Sequence, residues 1–243
     1  MDEPWYKRAF AREYLELYRH RSPVQGQQQV NQMLAAGLLR GCVLDLCCGA
    51  GRHLRPMRDA GLVAFGLDLS MDLLAAGRLG GTAVQADARY VPFGDARFDV
   101  VTNLFSSFGY FPDDAAHRRV LAEIRRVLRP GGRLVIDHMN AEVVIRDLKP
   151  ETTDRRDGLT LKQIRRYDAE KRRVLKDIQY TPDGLPTRHW HESVRLFTPH
   201  ELDEFLTQAG FAVVARYGDL DGSPFETSTS NRQVVIAQRP DSA

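Results

Sequence analysis

The strongest constraint in this 243-residue chain is a short apolar run, Val43-Leu44-Asp45-Leu46, that stops at Cys47-Cys48-Gly49-Ala50-Gly51-Arg52 and opens onto a helical pattern. A β-prone run of this length that ends in small residues reads as a buried strand feeding a tight turn. Gly49 and Gly51 have no Cβ, so a ligand can lie against the main chain there. The following helix offers unpaired N–H groups and the positive end of its dipole. These features imply a nucleotide-like ligand at a strand-to-helix turn.

A second run, Val63-Ala64-Phe65-Gly66-Leu67-Asp68, ends in a carboxylate. Asp68 lies about 20 residues past the glycine loop, the spacing at which a second-strand acid reaches a ribose diol. An acid there favours a free 2′,3′-diol and disfavours a 2′-phosphate. After Gly51 come Arg52, His53 and Leu54, with no third glycine for helix packing on a pyrophosphate. A nucleoside without a diphosphate fits better than a dinucleotide, which disfavours a dehydrogenase.

The length fits one large domain or a domain with an insertion. A net charge of +2 gives no global pull towards nucleic acid or anionic membrane. The charged N-terminus lacks a signal-peptide core, and no apolar run reaches transmembrane length. Three cysteines, two of them adjacent at Cys47 and Cys48, make neither a disulfide framework nor a zinc site. The expected location is cytoplasmic, with no metal.

Along the chain, Phe10, Tyr14, Leu17 and Tyr18 share one face of an expected amphipathic helix. Strands are expected at 42–47, 63–68, 82–86, 98–103 and 133–137. Helices are expected at about 52–60, at 71–79 capped by Ser70, and after Asp113 or Asp114, the last ended sharply by Pro130-Gly131-Gly132. Stretches 158–167, 172–181 and 187–197 alternate with period two and read as three antiparallel strands. Thr198-Pro199-His200-Glu201 is a capping box opening a helix that Gly210 ends. Strands at 211–217 and 233–238 flank a Gly-, Ser- and Thr-rich segment, 218–231, expected to be a mobile loop. The fold class is α/β: a doubly wound, Rossmann-like seven-stranded sheet plus a small antiparallel β insertion.

The chain resembles the class I S-adenosylmethionine-dependent methyltransferases. The similar features run in order: Val43–Gly51, Gly66-Leu67-Asp68-Leu69-Ser70, Gln85-Ala86-Asp87-Ala88, Phe98–Phe105, and Val127–Leu134. They span about residues 42–139, and the family often has glycine where this chain has Cys47. The resemblance implies a reversed last strand and S-adenosylmethionine as cofactor. It implies that Asp68 holds the ribose, that Asp87 takes the adenine amino group beside the Ala88 amide, and that Leu69 and Arg89 flank the base. Cys47, Gly49 and Gly51 would carry the methionyl part, Arg52 would pair with its carboxylate, and Asn103 and Leu104 would sit beside the sulfonium. It also divides the chain into residues 1–40 as an N-terminal helical lid bearing Trp5, Tyr6, Tyr14 and Tyr18, residues 41–140 and 198–239 as the cofactor-binding domain, and residues 141–197 as an insertion that covers the acceptor or makes a dimer contact.

A sulfonium methyl is already a good electrophile, so holding a nucleophile in line can supply up to about 7–11 kcal/mol. Candidate catalytic residues are His138 at the end of the fifth strand, His191 (with His189 on the same face of its strand) and Tyr110. Phe105, Phe108, Tyr110 and Phe111 follow the fourth strand and either pack the core or line the acceptor pocket. The expected activity is methyl transfer to N or O of a small-molecule acceptor. An RNA or protein methyltransferase is the first alternative, supported by Arg165-Arg166 and Lys171-Arg172-Arg173, which a solvated hairpin edge explains as well. The Asn/Asp-Pro-Pro-Tyr amine-methylation signature is absent; that place reads Asn103-Leu104-Phe105-Ser106. A non-catalytic cofactor-binding scaffold or sensor is the other alternative. Nucleic acid stays open as a partner, as does a second copy of the chain.

Overall fold

A computed structural model of the chain describes residues 5, 6, 10, 23–156 and 158–241. Tyr14, Leu17 and Tyr18 of the expected N-terminal helix lie outside the described residues. From residue 23 the elements are α1 (Pro23–Ala35), β1 (Cys42–Leu46), α2 (Leu54–Asp59), β2 (Val63–Asp68), α3 (Met71–Ala76), β3 (Ala83–Gln85), β4 (Phe98–Asn103) and a single 3₁₀ turn at Ser107–Tyr110. There follow α4 (Asp114–Val127), β5 (Leu128–Met139), α5 (Ala141–Arg146), β6 (Glu151–Arg156), β7 (Leu159–Asp168), β8 (Arg173–Pro182), β9 (Arg188–Arg195), α6 (Pro199–Gln208), β10 (Ala212–Tyr217) and β11 (Arg232–Gln238).

The main sheet has seven strands in the order β10-β11-β5-β4-β1-β2-β3. β1 to β5 run parallel, and β11 runs antiparallel to both of its neighbours. The expected sheet with a reversed last strand is therefore present. Both faces are buried. Leu44, Leu46 and Val101 pack against α4 and α6 residues such as Leu121, Ile124, Leu202 and Leu206. Val43, Val100 and Val135 point the other way, towards Met33, Leu54 and Met57. Each such fully buried side chain contributes roughly 1.5–3 kcal/mol.

Helix starts follow local chemistry. The Asp113 carboxylate accepts the Ala116 N–H at 2.8 Å, settling which of the two aspartates caps α4. Thr198 and Glu201 form the expected reciprocal capping box at α6. Three expectations need correction. Pro130-Gly131-Gly132 does not separate helix from strand, because β5 begins directly after Val127. The register jumps from Phe98↔Leu128 to Val100↔Arg133, so these residues form a bulge inside the strand. The insertion has four strands, in the order β6-β7-β8-β9. β6 (ETTDRR) is all polar or charged and carries no apolar alternation to read. Finally, the segment 218–231 is tied down: Asn140 Nδ2 donates to the carbonyls of Thr227 (2.7 Å) and Ser230 (2.8 Å), and Leu220 is fully buried.

Gly66, in mid-β2, shows how tightly the second layer is packed. A Cβ there would stand 2.6 Å from Cys48 Sγ, 2.7 Å from Leu54 Cδ2 and 3.0 Å from Ala83 Cβ. Gly66→Ala is expected to lower the unfolding free energy by about 1–3 kcal/mol in a urea titration. An unchanged midpoint would contradict this packing.

Candidate active site

The order of the sheet reverses direction between β1 and β4, where crossovers leave to opposite faces and a crevice opens at the strand carboxyl ends. A cavity of about 430 Å³ lies at this edge of the sheet. Its lining comes from the ends of successive strands: Cys47 and Gly49 after β1, Asp68 to Ser70 after β2, Gln85 to Ala88 after β3, and Leu104 and Phe105 after β4. Tyr6 and Phe10 from the N-terminal segment, and Ser107, Tyr110 and Phe111 around the 3₁₀ turn, complete it.

Asp68 organises the floor. One carboxylate oxygen accepts the Gly49 N–H at 2.7 Å and the other accepts the Ser70 N–H at 2.8 Å. Burial pushes its carboxyl above the ordinary range, against the pull of the Ser70, Gly49 and Leu69 N–H groups. A carboxylate has about four acceptor positions, so the N–H groups leave acceptor capacity for a ligand diol. Ser70 in turn caps α3 through Leu73 N–H and donates its hydroxyl to the Phe10 carbonyl at 2.6 Å.

The glycine loop divides its work. Cys47 and Gly49 both adopt left-handed backbone, at φ 62° and 55°. Cys47 therefore holds a conformation that suits glycine, at a cost of about 1–3 kcal/mol. Burial raises its thiol pKa, so the sulfur stays protonated. Gly51 does not line the cavity: a Cβ there would meet Leu79 Cδ2 at 2.6 Å, so this glycine admits a neighbouring leucine. Arg52 does not line it either; its guanidinium lies 3.8 Å over the Phe105 ring. Asp87 lines the cavity while Arg89 folds back and clamps its carboxylate, with Nη2 2.6 Å from Oδ2. Asn103 is fully buried beneath the loop, where Nδ2 donates to the Leu46 carbonyl at 3.4 Å and Oδ1 has no partner among the described residues. Asp45, pushed by burial up to about 7, accepts the Thr102 hydroxyl at 2.9 Å.

Phe105 and Ser106 form a left-handed pair, at φ 56° and 58°. The end of β5 holds them: Asp137 Oδ2 accepts the Phe105 N–H at 3.1 Å and its carbonyl accepts the Ser106 N–H at 2.9 Å. This bend turns Phe105, Tyr110 and Phe111 to the cavity and leaves Phe108 in the core. Tyr110 packs on Phe10 (5.2 Å between centroids) and on Trp5 (5.3 Å). Tyr6 is 9% exposed, and its hydroxyl has no hydrogen-bond partner among the described residues.

Of the three candidate catalytic residues, the structure brings only Tyr110 to the cavity. His138 is fully buried, donates from Nε2 to the Arg195 carbonyl at 3.0 Å, and is pushed by burial down to about 3. His191 lies on β9 beside Asp177, 2.9 Å away, in a separate cleft. Arg173 carried no site signal in the sequence, where it reads as part of a solvated basic hairpin. It is only 7% exposed and donates to the carbonyls of Gly109 (3.1 Å) and Phe111 (3.0 Å), on either side of Tyr110. Its parity with Leu175 along β8 was the available clue.

The described residues thus supply an acid for a diol, a second acid beside a small-residue rim, a bare amide loop and an aromatic wall. That donor set fits adenosine bearing an amino-acid arm.

A family profile described as "Methyltransferase domain" matches residues 43–132. A dTDP-3-amino-3,6-dideoxy-alpha-D-glucopyranose N,N-dimethyltransferase from Streptomyces fradiae is 31% identical over 180 residues, 70% of this chain and 70% of that protein. The chain belongs to the class I S-adenosylmethionine-dependent methyltransferases. A demethylmenaquinone methyltransferase from Renibacterium salmoninarum is 38% identical over 97 residues, 39% of each chain, so the match spans well under half of that relative. The solved structure of the CcbJ methyltransferase from Streptomyces caelestis shares the fold, with a TM-score of 0.78 at 22% identity over 90% of this chain and 96% of that one. Among the described residues, no helix is long and apolar enough to cross a membrane, and no group of His, Cys, Asp and Glu could hold a metal ion.

The buried imidazoles of this methyltransferase make a pH test. His53 and His138 are pushed to about 3 and His117 to about 4, all by burial. Unfolded histidine titrates near 6.5. Their contribution to stability is fully present above that value and is lost as pH falls from there towards 4. His138→Gln should remove one proton from this linkage, flattening the acid limb by about 1.4 kcal/mol per pH unit below 6. Urea titrations at several pH values measure it; an unchanged slope would show that His138 is not held neutral.

Proposed function

We propose that this chain transfers a methyl group from S-adenosylmethionine to a nitrogen or oxygen of a small-molecule acceptor. The observation that carries the reading is the single cavity that joins Asp68, Gly49 and Asp87 to an aromatic wall of Phe105, Tyr110 and Phe111. When bound, the cofactor supplies a methyl group on a positively charged sulfur, which a lone pair on the acceptor displaces as the S–C bond breaks. Asp68 would hold the ribose hydroxyls with its remaining acceptor capacity. Asp87 and the Ala88 amide would face the base, with Leu69 against its plane. Cys47, Gly49 and Leu104 would bound the methionyl arm. Gly51, Arg52, Arg89 and Asn103 support these positions from behind.

The residues act mainly by orientation and by excluding water. The Tyr110 ring packs in one cluster with Trp5 and Phe10 and would close the cavity on the acceptor side. Tyr110 could also accept or relay the proton that an amine or hydroxyl sheds. His138 and His191 stay outside this role. An amine acceptor is favoured by the relative whose name states N,N-dimethylation of an amino sugar and which covers 70% of this chain.

The same reading assigns residues 1–40 as a lid, supported by Tyr6 and Phe10 in the cavity wall and by Trp5 packed on both. It assigns residues 141–197 as an acceptor cover, supported by the Arg173 contacts to the 3₁₀ turn. β6 leaves the inserted sheet with an edge where a second copy could pair. A cytoplasmic location follows from the small-molecule reading and the free cysteines.

The test is steady-state transfer of labelled methyl from S-adenosylmethionine to a panel of amines and hydroxyl compounds. With the acceptor so found, Asp68→Ala should raise the KM for the cofactor roughly 10- to 100-fold, the loss of hydrogen bonds to a charged group. Near-UV circular dichroism should remain native. An unchanged KM in a folded variant, or no transfer to any small acceptor, contradicts the proposal. Transfer to RNA, with binding that weakens steeply in salt, would favour the macromolecular alternative.

A further inference from the structure

A second cleft, of about 410 Å³, opens between Trp5 and the insertion and is lined by Asp177, Ile178, Gln179, His189, Trp190 and His191. Its polar row is not scattered. In β8 and β9 the register pairs Asp177 with His191 and Gln179 with His189. Directly opposed residues share a face, and residues two apart share it as well. Asp177, Gln179, His189 and His191 therefore stand together on one face. Two pairs further along lies Arg173↔Arg195, so the same face carries Arg173, whose guanidinium holds the carbonyls of Gly109 and Phe111 around Tyr110.

The cleft adjoins the cofactor cavity through one ring. Trp5 lines the cleft and packs on Tyr6 (5.9 Å), Phe10 (5.9 Å) and Tyr110 (5.3 Å), all three of which line the cavity. A molecule seated in the cleft would have one end beside Trp5 and Tyr110. The lining combines a flat indole with planar hydrogen-bonding groups, the arrangement that matches a ring with apolar faces and hydroxyls at its rim. Asp177 is the only lining side chain among the described residues with a fixed charge. Its side chain is 58% exposed, and of its two oxygens Oδ1 pairs with His191 Nδ1 while Oδ2 makes no hydrogen bond among the described residues. An exposed carboxylate so placed favours an ammonium group over an anion.

We propose that this cleft is the acceptor subsite and that it takes an amine-bearing sugar ring, presented past Trp5 to the cofactor cavity. The proposal rests on the methyltransferase reading above. Occupancy can be read directly, because Trp5, one of the chain's two tryptophans, lines the cleft, while Trp190 packs on the opposite face of β9 against Tyr180.

The experiment titrates D-glucosamine into the full chain saturated with S-adenosylhomocysteine and follows tryptophan fluorescence, with D-glucose as the uncharged control. A saturable change is expected with glucosamine, and glucose should bind at least about tenfold more weakly. Asp177→Asn and His191→Gln should each weaken glucosamine by about tenfold or more, while calorimetric affinity for S-adenosylhomocysteine and the unfolding midpoint stay at wild-type values. The cleft assignment is overturned if glucosamine gives no saturable response in protein that binds S-adenosylhomocysteine normally. It is overturned equally if both folded variants bind glucosamine as wild type does, or if glucose binds as well as glucosamine. Failure of the wild-type protein to bind S-adenosylhomocysteine is a different result: it removes the methyltransferase reading, and the acceptor subsite with it.

Discussion

The carboxylate of Asp68 is the point on which the rest of the site is built. It sits at the end of β2 and accepts one N–H from the loop after β1 and another from the start of α3. A single buried acid thus ties together two segments that the β1–β2 pairing already brings side by side. Ser70 carries the arrangement outward by capping α3 and holding the Phe10 carbonyl. Floor, helix and N-terminal wall are therefore coupled. A carboxylate taken out of water for this purpose is costly unless several donors face it, and the loop amides supply them.

Burial holds the histidines and thiols of the interior in their neutral forms. Burial lowers His53, His117 and His138 and raises the thiols of Cys47 and Cys48. Asp45, pushed up to about 7, holds Thr102 directly behind the loop. At the cavity rim Asp87 is matched by Arg89. For the proposed transfer, such a site would act by shape and by fixed dipoles, which suits displacement at a sulfonium methyl.

The main sheet was legible because its strands are buried on both faces and its turns carry glycine, proline or capping residues. Asp68, Gly49 and Asp87 were legible because strand ends at this edge of the sheet face the ligand crevice. What the sequence concealed is three-dimensional. Gly49 and Gly51 look alike in the chain, yet one borders the cavity and the other makes room for Leu79. Arg52 looks like a partner for an anion and instead covers Phe105, while Asn103 reads as a ligand contact and instead braces the loop from beneath. Arg173 looks solvated because its neighbours Lys171 and Arg172 are, but strand parity turns it inward to the carbonyls around Tyr110. β6 offered no apolar alternation, because its six residues are all polar or charged.

The central claim is that one acid, one amide loop and a ring of aromatic side chains enclose an adenosine carrying a sulfur arm. Isothermal titration of S-adenosylhomocysteine into the intact wild-type protein tests it most directly. The account requires a single saturable site per chain, with a negative heat-capacity change as the aromatic wall closes on apolar surface. A folded protein that takes up no S-adenosylhomocysteine at any accessible concentration would contradict it.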